Sequence, residues 1–496
     1  MMDRRKQSAM QALGKQPEAG VASKAILTPA KRPNRFTLKS IVAAMILTIG
    51  SGVGVPKPVT DALGNLSPEA AIALGNLDPR TASAEPDESE QLKYSPQQLE
   101  ELKKYGVDVS LQTRVNLCIE KAKQFLVTSF DQGERSWQQL YNDKLSVGGQ
   151  HALATLAVLV SDEDPSNKII QDALNSKQFK QLDSRQQTYS YSVAGLVWVE
   201  YIRSLQIKYP NAKDVPTGIV SLKDSKKALQ EIVRFLVKKM EADGGWRYPG
   251  GSSADTYNVD VSNTQFAIHT LYEAKKLGLR VPNKIFMKTL EYLLNSQEKH
   301  GPAFQLTRES SDPRYAPIKQ TVKARGWGYT AEGKASGAMT VAGFMTLLEI
   351  KDIILDDSKL QRDLSTLRKI DESCMDAYAW LTKEFRVDTN PVIGGDWKFY
   401  YLYGLEKVSD LLGIQKYTQT LDDGRNWERF WYKEGAEHLT STQVEDGTWD
   451  ASNPLTSKLT STAFALLFLK RVTRSSKNFL LPDPPTTTGN QKATAR

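Results

Sequence analysis

Gln443-Val-Glu-Asp-Gly-Thr-Trp449, followed at 460–472 by TSTAFALLFLKRV, is the stretch whose reading decides the fold. The first part is a helix stop. Gly447 supplies the backbone freedom for a turn after a helix, and Trp449 offers a large apolar ring to seal the corner that the turn creates. The second part is apolar nearly all round, so the helix it forms has to be covered on every side.

The same order recurs on both sides of this stretch. Amphipathic segments such as AKQFLVTSF, EIVRFLVKKM, KTLEYLLNS and CMDAYAWLTKEF place apolar residues at three- and four-residue spacing. Loops with Gly and Trp follow: Gly133 to Trp137, Asp243-Gly-Gly-Trp246, Arg325-Gly-Trp327-Gly-Tyr329, Gly394-Gly-Asp396-Trp397 and Glu445 to Trp449. Apolar helices rich in small residues come next, at 148–160, 262–274, 337–350, 399–412 and 460–472, with a sixth at 189–202 that lacks a Trp loop before it. No alternating run is long enough to predict a sheet. Six hairpins can bury this much apolar surface by standing in a ring, apolar helices inside and amphipathic helices outside. The expected fold is all-α, an (α/α)6 toroid, with Trp246, Trp327, Trp397, Gln443, Gly447 and Trp449 as structural corner residues.

A Gln, a short spacer and Gly-x-Trp form the repeat signature of the squalene and oxidosqualene cyclases. Residues 443–449 match it in full, and the loops at 243–246, 325–329 and 394–397 match it without the Gln. Over about 110–472 the chain resembles the α/α toroid of the terpenoid cyclases and protein prenyltransferases. The resemblance implies an alkene-protonating Asp in an Asp-x-Asp-Asp-Thr motif at the start of an inner helix. At that place stands Asp260-Val-Ser-Asn-Thr264. Ser262 replaces the proton donor and Asn263 the last Asp, and a serine hydroxyl is far too weak an acid for that chemistry. Ser262-Asn-Thr-Gln265 also reads as a capping box, with Ser262 as N-cap. Prenyltransferases hold zinc with Asp, Cys and His, but Cys374 sits near the start of an outer helix, and His151 and His269 show no ligand spacing with it, so no metal or cofactor is implied.

Other toroids cleave polysaccharides with paired carboxylates. Asp260, Glu332, Asp396 and Asp450 are the candidates at inner-helix entrances, although Asp beside Gly and Trp also reads as turn chemistry. The inner-helix aromatics Tyr189, Tyr191, Trp198, Phe266, Tyr400 and Tyr403 are the candidate ligand-binding residues, since rings stack and tyrosine hydroxyls hydrogen-bond.

The net charge of +8 does not point to nucleic acid. Residues 1–40 alone carry +7 of it, which leaves the body close to neutral. Basic 31–39 (KRPNRFTLK) followed by the charge-free 40–56 has the order of a secretory signal, either cleaved or kept as an anchor. The expected organisation is a basic leader and signal at 1–57, a disordered linker at 58–94, the toroid at 95–473 and a disordered tail at 474–496. Cys118 and Cys374 read as two unrelated buried thiols. The functional expectation is an exported non-catalytic binding or scaffold protein, in the periplasm or cell envelope, with an unknown ligand in or at the ring's mouth or with other envelope proteins as partners. The alternative is an enzyme on the same fold, either a terpenoid-type cyclase or transferase with altered chemistry or a polysaccharide lyase or hydrolase.

Overall fold

A computed structural model of the protein describes residues 94–471, apart from 143–145, 163, 181, 183–186, 249–258, 309–317, 422 and 451–455. The expected leader and signal, nearly all of the linker and the tail lie outside the described residues. The described residues all belong to one compact unit, Pro86–Arg496.

The described residues are predominantly helical. α1 (Pro96–Lys104) and α2 (Val109–Thr128) lead into α3 (Val147–Asp162), the short α4 (Lys168–Leu174) and α5 (Lys177–Lys180), and α6 (Gln187–Lys208). α7 (Leu222–Lys239), α8 (Val261–Lys276), α9 (Asn283–Ser296), α10 (Gly337–Asp356), α11 (Leu364–Glu384), α12 (Lys398–Leu412), α13 (Trp431–Thr442) and α14 (Lys458–Lys470) follow. In α7 the buried residues Leu229, Ile232, Val233 and Leu236 form one stripe, the spacing of a helix that faces a core on one side. In α10 every residue from Gly337 to Ile354 is buried.

The fully covered helices pack in order. α3 contacts α6, α6 contacts α8, α8 contacts α10, α10 contacts α12, α12 contacts α14, and α14 returns to α3. The striped helices lie against them, α2 on α3 and α14, α7 on α6 and α8, α9 on α8 and α10, α11 on α10, and α13 on α12.

Two strand pairs correct the expectation of no sheet. β1 (Ala303–Arg308) pairs antiparallel with β2 (Ile318–Lys323), and β3 (Lys416–Thr420) with β4 (Asn426–Phe430). Their strands are five or six residues long and mostly polar, too short for alternation to stand out.

Four Trp corners share one geometry. Trp137, Trp246, Trp327 and Trp449 are buried. Their indole Nε1 groups donate to the carbonyls of Leu126, Leu236, Leu293 and Leu439 at 2.7, 2.9, 3.0 and 3.0 Å. Each acceptor lies in the last turn of the preceding striped helix, and the carbonyls of Leu293 and Leu439 also accept from the backbone N–H groups of Gln297 and Gln443. For three of them the Trp backbone N–H donates to a threonine hydroxyl one turn into the following inner helix: Thr264, Thr340 and Thr462. Gly244 and Gly447 have φ of +94° and +84°, and a Cβ there would collide with the carbonyls of Lys288 and Lys121 on neighbouring helices.

The third corner also carries its own Gln. Gln443 Nε2 donates to Cys118 O and to Gly447 O, two residues before its Trp. Gln297 Nε2 donates to Ser373 O and to Arg325 O, two residues before Trp327. The β1–β2 hairpin is inserted between Gln297 and Gly326, so the signature is complete in space and interrupted in sequence.

Both cysteines are buried and unpaired, Cys118 on α2 and Cys374 on α11. Burial raises both thiols' pKa. Asp162 and Asp164 pair with Lys123 and Lys208.

Candidate functional site

All six inner helices lend their first two turns to one cavity of about 530 Å³. Gln150 comes from α3, Tyr189 from α6, Ser262 and Phe266 from α8, and Ala338 and Met339 from α10. α12 adds Phe399 and Tyr400, and α14 adds Thr460, Ser461 and Phe464. The loops add Tyr248, Tyr329, Lys334, Asn390, Ile393 and Trp397. Among the described lining residues there is no carboxylate, and Lys334 is the single formal charge.

The aromatic wall is continuous. Tyr189 meets Phe266 edge-on at 5.0 Å, Phe266 stacks on Tyr400 at 5.6 Å, and Tyr400 meets Phe464 at 5.7 Å. The Tyr400 hydroxyl donates to Gln265 Oε1 at 3.0 Å, and Ser262 Oγ lies 3.4 Å from the same hydroxyl. Ser262 thus stands on the cavity wall, where the resemblance would put an acid.

Asp260 sits behind that wall and caps α8. Its Oδ1 accepts from the Asn263 backbone at 2.7 Å and its Oδ2 from Asn263 Nδ2 at 2.8 Å. The N-cap is therefore Asp260, not Ser262, a correction to the capping-box reading. Both residue types cap well, but the backbone is already helical at Val261. Burial pushes the Asp260 carboxyl up to about 6, against hydrogen bonds from Asn263 and the Tyr329 hydroxyl that favour its ionised form. The side chain is 2% exposed. Thr264, which agreed with the family motif, bonds the Trp246 corner instead.

The other carboxylate candidates lie elsewhere. Glu332, Asp396 and Asp450 are exposed and line no part of the cavity. Asp396 offers its backbone carbonyl to Asn390 Nδ2, and Asp450 lies 3.6 Å from Lys458 Nζ.

The aromatic candidates divide evenly. Tyr189, Phe266 and Tyr400 line the cavity. Tyr191 stacks on Phe235 of α7 at 3.7 Å, on the opposite side of its helix. Trp198 packs against Phe179 and Tyr201. Tyr403 lies beneath the cavity, its ring against Phe464 and under the Lys407 ammonium.

Trp397 departs from the other corner tryptophans. It is half-buried, has φ of +60°, and faces the cavity. Val392 and Gly394 in the same loop also have positive φ, 77° and 80°. A β-branched residue in that region is strained, and such strain persists where surrounding contacts enforce it. Buried Asn390 enforces it here. Its backbone exchanges two hydrogen bonds with Gly394, its Oδ1 accepts from Ala338 N, and its Nδ2 donates to Asp396 O. The loop holds Val392 and Ile393 exposed at the rim, beside exposed Tyr329.

The far ends of the inner helices are filled with buried charge. The Tyr272 hydroxyl donates to Asp352 at 2.9 Å, Lys276 pairs with Asp352 at 2.7 Å, and Lys407 lies 3.6 Å from Glu406. Arg471 bridges to Asp410 and stacks on Tyr105, its guanidinium 3.6 Å from the ring centre. His269 Nδ1 and Glu349 Oε1 are 2.5 Å apart. Burial disfavours the charged form of each group, lowering His269 to about 3 and raising Glu349 well above the usual carboxylate range. His151 is likewise lowered to about 4 by burial, with Tyr141, Ala173 and Ser176 on its ring nitrogens. Among the described residues no three His, Cys, Asp or Glu side chains are grouped to hold a metal ion, and no helix is long and apolar enough to cross a membrane.

Comparison of the chain with family models, curated proteins and solved structures returns no match.

Proposed function

We propose that the protein is an exported, non-catalytic binding protein built as an (α/α)6 toroid, and that its ligand is a small molecule with a largely apolar body held at the inner helices' N-terminal ends. The closed order of helix contacts and the repeated Trp corners support the toroid. Export rests on the basic segment 31–39 and the charge-free 40–56. The observation that carries the ligand reading is the cavity, of a size usual for small-molecule sites and walled by stacked aromatic rings. A packed scaffold would have side chains there. A few neutral polar groups, Gln150, Ser262, Asn390 and the tyrosine hydroxyls, would orient the ligand.

A second reading is acid–base catalysis on the same fold, favoured by the buried carboxyl of Asp260 with its raised pKa beside the wall. Against it, that carboxyl is engaged as a helix cap, and Ser262 occupies the proton donor's place.

The test is native mass spectrometry of the full chain from its producing cells, followed by denaturing extraction. One apolar small molecule per chain is the expected result. In parallel the protein is incubated with squalene, beside the double variant Ser262→Asp, Asn263→Asp. Cyclised product from the natural sequence would establish the enzyme reading instead. Absence of any co-purifying small molecule, with no uptake of an apolar probe, would overturn the binding reading.

A further inference from the structure

We infer that the ligand is an amphiphile with a single anionic head, its apolar body in the aromatic cavity and its head at Lys334 on the rim; the inference rests on the binding reading above. Lys334 is the one formally charged residue among the described lining, and it is exposed at the lip. Among the described residues it makes no hydrogen bond or ion pair, whereas the buried cations at the far end, such as Lys407 and Arg471, are matched by carboxylates. An ammonium held at the mouth of a neutral cavity attracts an anion at the ligand's end rather than along its body.

Lys334 also borders a second, smaller cavity of about 340 Å³ on the outer side of the same segment. That cavity has room for a head group and its water. Its carboxylates are engaged: Glu298 accepts from the Gly326 backbone N–H at 2.9 Å, and Glu384 pairs with Lys383. His300 on its wall, like Lys334, has no partner among the described residues. The groups left to donate to a ligand there are thus Lys334 and His300. Six inner helices direct their N-terminal ends at the main cavity, and their aligned peptide dipoles add positive potential at the same place.

The test compares two fluorescent probes with one body, dansylaminoundecanoic acid and its methyl ester, titrated into the full chain. The acid should bind about fivefold more tightly than the ester, the scale of one charge pair at a partly exposed site. Added salt should weaken the acid alone. Lys334→Gln should remove the preference of acid over ester, while Lys334→Arg should keep it, with thermal melts confirming that both variants fold. Equal affinity for acid and ester in the natural protein would overturn the head-group inference and leave the binding reading standing. A preference that survives Lys334→Gln would overturn the assignment to Lys334. Binding of neither probe would overturn both the inference and the reading beneath it.

Discussion

The two ends of the inner helices are built from the same six segments and treat polar groups in opposite ways. At the C-terminal ends buried carboxylates meet cations: Glu406 with Lys407, Asp352 with Lys276, Asp410 with Arg471. At the N-terminal ends the centre is hollow, the walls are aromatic, and the rim holds a cation without a partner and a strained loop. Matched buried charges and filled volume serve the fold. Unfilled volume and unmatched polar groups cost stability, and they persist where a ligand completes them. On the proposed reading, one end serves stability and the other binding.

The largest effect should come from the corners that tie the hairpins together. Trp246→Ala and Trp449→Ala should each cost about 3–5 kcal/mol, through lost buried area and a lost indole hydrogen bond. Thermal melts followed by circular dichroism measure this, and unchanged melting in both would remove the corners from the stability account. At the filled end, Lys407→Met should cost about 3 kcal/mol, because it strands the buried Glu406 carboxylate. Chemical denaturation checks it, and a neutral result would erase the contrast between the ends.

Asp260 gives an effect of opposite sign. Its carboxyl holds a proton more tightly in the fold, near pH 6, than at its ordinary value of 3.8. Stability from the protonated form is therefore present at acid pH and lost as pH rises from about 4 through 6. Asp260→Asn can still cap α8 and should remove that loss, by about 2–3 kcal/mol at pH 8 relative to pH 4. His151 acts the other way between about 4 and 6.5, so the quantity to compare is variant minus parent at each pH. A flat difference would place Asp260 outside the pH response. The smallest effect should be at the hollow end itself: half-buried Trp397→Ala should cost about 1 kcal/mol, well below the cost of a fully buried Trp, yet weaken probe binding. A cost equal to that of Trp246→Ala would return Trp397 to the corner class.

The helices were largely legible because a helix covered on all sides leaves an unbroken apolar run, and six such runs stand in the sequence at the observed helices. The corner signature was legible at 443–449 and hidden at Gln297, which a hairpin separates from Trp327. The cavity was half legible. Total burial of these six helices removes the polar stripe that would show which side meets the cavity. Tyr189 and Tyr191 are two residues apart, about 200° around a helix, so one faces the cavity and the other α7. Trp198, nine residues beyond Tyr189, is turned away by half a circle and lies deeper. Tyr248, Tyr329 and Lys334 come from loops, and Tyr329 is held over the cavity by a contact distant in sequence, its carbonyl accepting from the Val261 N–H.

The central claim, that the hollow end is a binding site, meets its most direct test in titration with N-phenylnaphthylamine, an uncharged fluorophore. The natural protein and Ala338→Trp, whose added ring fills the cavity, are compared side by side. Saturable binding at one site per chain in the parent, abolished in a variant that melts as the parent does, is the predicted result. Equal binding by both proteins, or no saturable binding by either, would contradict it.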